Sequence, residues 1–98
     1  MTTDQLILNV ERQQKIATAL SRLWESLIPD HQPTPENFSG WVDCFGADAA
    51  VIAIRRTAAK ARTCRRANLP MSGSDLERYC TGTMKHLGRS ALEYRVQI

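Results

Sequence analysis

The sequence predicts an all-α fold: a compact bundle of about four helices in one domain over residues 1–98, ending in a short irregular C-terminal tail. Apolar residues recur at three- and four-residue spacing in four stretches, start and stop signals bound most of them, and period-two alternation is confined to the end of the chain. At 98 residues, 43% hydrophobic and 23% charged, the chain can bury one modest core.

The first helix is expected over 9–28. Asn9 suits its cap, and Ile16, Leu20, Leu23, Trp24 and Leu27 form its apolar stripe. It must stop near Pro29, whose ring pushes Ile28 out of the helical region. Leu6, Ile7 and Leu8 either extend this helix or pack as an irregular arm.

A helical core over 34–88 follows. Thr34 as cap, Pro35 at the first helical position and Glu36 at the positive end of the dipole open a second helix. Its core residues are Phe38, Trp41, Val42 and Phe45, and Gly46 closes it by taking a left-handed conformation.

Asp48 suits the cap of a third helix with Val51, Ile54, Ala58 and Ala61 on one stripe and Arg55, Arg56, Lys60 and Arg62 on the other side. A continuing helix would turn Arg65 onto the apolar stripe, so a break is expected near Thr63 and Cys64, leaving a basic loop from Arg65 to Pro70.

The fourth helix starts at Ser72 or Ser74. Ser74 with Glu77, or Ser72 with Asp75 and a staple from Met71 to Leu76, would satisfy its first amide groups. It runs through Leu76, Tyr79, Cys80, Thr83, Met84 and Leu87 to Gly88. In the tail, 89–98, Leu92, Tyr94, Val96 and Ile98 alternate, which fits a strand-like arm or a frayed turn of helix.

Charge is unevenly distributed. Residues 1–48 hold three Lys/Arg against seven Asp/Glu, and residues 49–98 hold ten against three, so a −4 half is joined to a +7 half. No acid lies between Asp48 and Asp75, where Arg55, Arg56, Lys60, Arg62, Arg65 and Arg66 cluster. Such a cluster attracts phosphate or an acidic protein surface, unless it is simply a solvated helix face. Tyr79 is either a core residue beside Leu76 and Met84 or a stacking platform on a helix that also presents Arg78, Lys85 and Arg89.

Catalytic chemistry has no visible basis. His31 lies in a proline-rich loop and His86 near a helix end, neither at metal-ligand spacing; both read as surface histidines. The acids form no facing pair, and no nucleophile elbow or phosphate loop is present. Neither an enzyme nor a cofactor is expected. Cys44, Cys64 and Cys80 form no Cys-x-x-Cys pair and read as reduced, mostly buried thiols. No apolar run approaches the roughly 18 residues of a membrane span, and the N-terminus lacks a signal-like charge, so a cytoplasmic protein without membrane partners is expected.

Three segments carry a resemblance: Trp41 to Gly46, Ala53 to Ala58, and Tyr79 to Lys85. They look like the C-terminal domain of DnaD-type primosomal proteins and related phage replication proteins, with a Trp-led helix, an Ala-Ile-basic helix and a closing Tyr-x-x-Gly helix. Leu23 to Pro29 also resembles the opening of small phage helicase loader or inhibitor proteins. About half the chain is covered. The closing motif departs from the family pattern at Thr83, where Ile is usual, and at Leu87, where Trp is usual; Tyr79 matches.

The resemblance implies a phage- or plasmid-type DNA replication accessory protein that binds DNA, a replicative helicase, or both. Arg55, Arg56, Lys60, Arg62, Arg65, Arg66, Tyr79 and Lys85 would form the nucleic-acid-binding set. The alternative is a small protein-interaction module or inhibitor from a mobile element, acting on a host helicase or a defence nucleoprotein complex in the anti-CRISPR manner.

Overall fold

The computed structural model describes the backbone of residues 3–96 and the side chains of residues 10–88. Four helices follow one another, α1 (Thr3–Leu27), α2 (Pro35–Phe45), α3 (Ala47–Arg66) and α4 (Gly73–Val96), with no strand among the described residues. The expected bundle is the observed one.

α1 begins before Asn9, which is therefore an interior residue and not a cap. Once a helix is nucleated, each further residue adds a backbone hydrogen bond, so one cap-favouring side chain does not fix its start. The Ile28 amide still reaches the Trp24 carbonyl at 2.6 Å before Pro29 ends the run. α2 opens as expected: the Thr34 hydroxyl accepts from the Asn37 amide at 3.4 Å, and Pro35 supplies the first turn.

Gly46 alone joins α2 to α3. Its amide donates to the Val42 carbonyl at 2.9 Å, and its carbonyl accepts from the Ala50 amide at 3.2 Å. Its φ of 88° is positive as expected, but ψ of 159° puts it outside the left-handed helical well, in a region that essentially only glycine occupies. With no residue left to serve as a side-chain cap, Asp48 sits inside the first turn of α3, contrary to expectation.

The expected break near Thr63 does not occur. α3 continues through Arg65 to Arg66, because the Arg65 side chain escapes the core by reaching Asp30 at 2.9 Å in the α1–α2 loop. The residues from Arg65 to Pro70 are thus only partly a loop. Asn68 stops the helix at φ 60°, with its amide on the Arg65 carbonyl and the Leu69 amide on the Cys64 carbonyl, a Schellman arrangement with asparagine in the left-handed position. Asn68→Ala should cost about 1 kcal/mol in urea denaturation, and Asn68→Gly should cost nothing or stabilise slightly, since the Cβ penalty of that conformation is the quantity being changed.

Of the two possible starts for α4, the structure uses Ser72. The Asp75 amide donates to the Ser72 hydroxyl at 3.1 Å, the Ser72 amide to the Asp75 carboxylate at 3.3 Å, and Met71 packs on the core near Leu76. Ser72 donating to the Asp75 carboxylate, through its hydroxyl more than its backbone amide, holds that carboxyl below its usual range. α4 passes Gly88 and continues to Val96, so the expected irregular tail is helical over 89–96; Ile98 lies outside the described residues. A glycine inside a helix costs about 1 kcal/mol and does not forbid continuation as proline does.

Trp24 is the centre of the core. It is fully buried, with ring centroids of Phe38 and Trp41 at 6.2 and 6.0 Å. Leu20 and Ile28 extend this cluster from the first segment, and Ile54, Cys80 and Met84 close it from α3 and α4. Several expected core residues are more peripheral: Leu27 is exposed, and Val42, Phe45, Val51 and Ala61 are half-buried. On α3 the buried face is Ala50, Ala53, Ile54, Thr57 and Ala58, rotated from the expected stripe because small alanines let neighbouring helices come close. The Thr57 hydroxyl, buried among them, donates to the Ala53 carbonyl at 2.7 Å.

Candidate nucleic-acid interface

All the residues expected to contact nucleic acid, Arg55, Arg56, Lys60, Arg62, Arg65, Arg66, Tyr79 and Lys85, are exposed. They do not make one continuous face. At about 100° per residue, Arg55, Arg62 and Arg66 form one row along α3, and Arg56 with Lys60 forms a second row roughly 120° away around the helix. The second row borders α4.

Arg65 belongs to neither row. It turns toward the core side and pairs with Asp30, both side chains being largely solvent-exposed. An exposed pair contributes at most about 1 kcal/mol, but it commits this guanidinium to the α1–α2 loop. Lys85 also stands apart: helical geometry puts it about 120° from Tyr79, on the outer side of α4.

Tyr79 is the residue that changes most between the two readings of the sequence. It is 36% exposed and lies outside the Trp24 cluster, between two shallow depressions of the α3–α4 groove. Arg56, Gly82, Thr83 and His86 line one depression with Tyr79; Lys60, Arg78 and Asp75 help line the other. Tyr79 is therefore a groove residue and not part of the core. Gly82 matters here because nothing fills the space where a side chain would stand. Arg78 enters this groove, as the stacking reading of Tyr79 expected, and so does His86, which was not expected among the contact residues although the periodicity of α4 places it beside Tyr79.

His31 is not an ordinary surface histidine. Its Nε2 lies 2.9 Å from Glu77 Oε2, its backbone carbonyl accepts from Trp24 Nε1 at 2.6 Å, and its ring covers Gly73 so closely that an added Cβ would sit 2.6 Å from the imidazole Cε1. Asn37 donates to the other oxygen of Glu77. On the same side of α4, Trp41 Nε1 donates to the Thr81 hydroxyl at 3.1 Å. These contacts tie the α1–α2 loop and α2 to α4, and they hold α4 at a fixed height beside α3. No group of three or more His, Cys, Asp or Glu that could hold a metal ion occurs among the described residues.

The cysteines differ from one another more than expected. Cys44 is exposed, Cys64 half-buried and Cys80 buried. Burial pushes the Cys80 thiol from 9.0 up to about 11, partly opposed by the neighbouring polar side chain of Thr57. A neutral thiol is the form the fold prefers, so its contribution to stability is present below pH 9.0 and is lost as pH rises toward about 11. Alkylation under native conditions should label Cys44 first and leave Cys80 unmodified until denaturant is added, as read by mass spectrometry of the peptides.

No family model matches this chain, and neither a curated protein nor a solved structure matches it. No helix among the described residues is long and apolar enough to cross a membrane.

Proposed function

We propose that this chain is a nucleic-acid-binding accessory protein of the phage- or plasmid-replication kind, acting without covalent chemistry. One observation carries the reading: Tyr79 is exposed in a groove whose walls supply Arg56, Lys60 and Arg78. An aromatic face beside cations is what holds a single strand, because every base has a face to stack and every linkage has a phosphate to neutralise. The resemblance of the Trp41, Ala53 and Tyr79 segments to DnaD-type proteins supports the same reading and suggests a replicative helicase as a protein partner. The competing reading is a protein-interaction module, in which the acidic first half or the α3 cations dock on a host helicase or defence complex.

Fluorescence anisotropy with a labelled single strand separates them. Wild type should bind, and affinity should fall steeply as salt rises because condensed counterions are released. Tyr79→Ala should weaken the single strand by about 1 to 3 kcal/mol, the worth of one stacked base. Its fold should be unaffected, since the ring is not part of the Trp24 cluster. No binding of wild type at low salt would leave the protein-interaction reading in its place.

A further inference from the structure

We infer that the outer face of α3 lies lengthwise in the major groove of duplex DNA. The inference rests on the nucleic-acid reading above and names the form of nucleic acid this face takes. Residues Ile52, Ala59 and Thr63 share a seam that points away from the core, and all three are exposed. By helical geometry this seam runs between the two cationic rows, each row centred roughly 60° from it. The face is thus an uncharged strip of small and apolar side chains with cations on both sides.

Duplex DNA presents the complementary pattern. Its major groove is about 12 Å wide, enough for an α-helix of about 10 to 12 Å, and a phosphate backbone runs along each lip. A helix in that groove needs cations on both flanks and side chains between them that can approach base edges. Ile52 and Ala59 can meet thymine methyl groups, whereas a charged seam would meet base edges it could not match. From Ile52 to Thr63 the seam is about 17 Å long at 1.5 Å per residue, or roughly five base steps at 3.4 Å each.

The fold leaves room for this approach. The buried residues of α3 all lie between Ala50 and Ala58; beyond them Ala61 still packs on the core, while Arg62, Thr63 and Arg66 are exposed, so the outward side of the C-terminal end is open. The Asp30 carboxylate is paired with Arg65, and the exposed Asp48, in line with the Arg55 row by helical geometry, marks the N-terminal limit of the cationic stretch before the seam begins at Ile52. A membrane surface is a poorer occupant because Ile52 is the one large apolar side chain on the seam. A single strand does not need two parallel cationic rows.

The test compares three labelled probes at equal salt: a mixed-sequence DNA duplex about two helical turns long, an RNA duplex of the same sequence, and one DNA strand alone. The A-form major groove of RNA is too narrow and deep for a helix, so the DNA duplex should bind at least about tenfold more tightly than the RNA duplex. Ala59→Glu, on the seam, should weaken the DNA duplex at least about tenfold more than Thr18→Glu, a charge-matched change on exposed α1. The two variants should affect the single strand equally. Ile52→Glu repeats the seam test if Ala59→Glu loses its helical circular dichroism. Equal affinity for the two duplexes, or equal effects of the seam and α1 variants, overturns the inference. Binding of the single strand without the DNA duplex overturns it too and leaves the nucleic-acid reading intact, whereas binding of no probe removes both.

Discussion

Trp24→Ala is expected to leave most of the chain unfolded at room temperature, detected as loss of helical circular dichroism and of a cooperative urea transition. The ring is fully buried, touches aromatic rings from α2, and donates from Nε1 to the His31 carbonyl. Truncating such a residue costs about 3 to 5 kcal/mol through lost transfer energy and the cavity left behind. The His31 carbonyl would lose its partner as well, at a further cost of about 1 kcal/mol or more. A domain of this size has roughly 5 to 10 kcal/mol in total, so the loss takes most of it. Trp41→Ala should be milder but still above about 3 kcal/mol, because Trp41 is 7% exposed and its hydrogen bond goes to a hydroxyl that also bonds to the Glu77 carbonyl. A cost below about 1 kcal/mol for Trp24→Ala would mean that the cluster is not the centre of the core.

The second large effect is on binding. Replacing Arg55, Arg62 and Arg66 with alanine removes one complete row of α3 while leaving Arg56, Lys60 and Tyr79 in place. For duplex DNA the slope of log affinity against log salt should become shallower by about three, near one unit for each lost phosphate contact. The single strand should be affected less, because the α3–α4 groove keeps its own cations. Stability should move by less than about 1 kcal/mol, since these side chains are solvent-exposed and support no packing. An unchanged duplex slope would show that the row faces solvent only, and would return the Arg55 cluster to the role of a solvated helix face.

Much of the fold was legible in the sequence because its strongest signals are local. Thr34 followed by Pro35, Ser72 with Asp75, and the positive φ of Gly46 are decided within a few residues of chain, and all are present in the structure. Asn9, Asp48 and Gly88 were misjudged because a local signal permits a helix end without requiring one, whereas other misjudged features depend on partners distant in sequence. Arg65 was expected to end α3, yet Asp30 makes a continued helix tolerable. His31 looked like a loop residue, and its importance comes from Glu77 and Gly73, more than forty positions away. The exposure of Tyr79 could not be read from apolar spacing, which placed it next to Leu76 and Cys80 without showing how far α3 covers it. The division of the α3 cations into two rows, by contrast, was already implicit in their spacing.

The one-residue joint at Gly46 has a consequence for how the length of this chain can vary. Adding a single residue there would turn α3 by about 100° relative to α2 and carry Arg56 toward the core while bringing Ile54 and Ala58 out to solvent. A deletion would turn it by the same angle the other way. The connections from Ile28 to Thr34 and from Ala67 to Ser72 have exposed residues between their anchoring contacts, and an extra residue in either can be absorbed without rotating a helix. Insertions and deletions in homologous chains should therefore fall in those two connections, with Gly46 bracketed by helices of unvarying register.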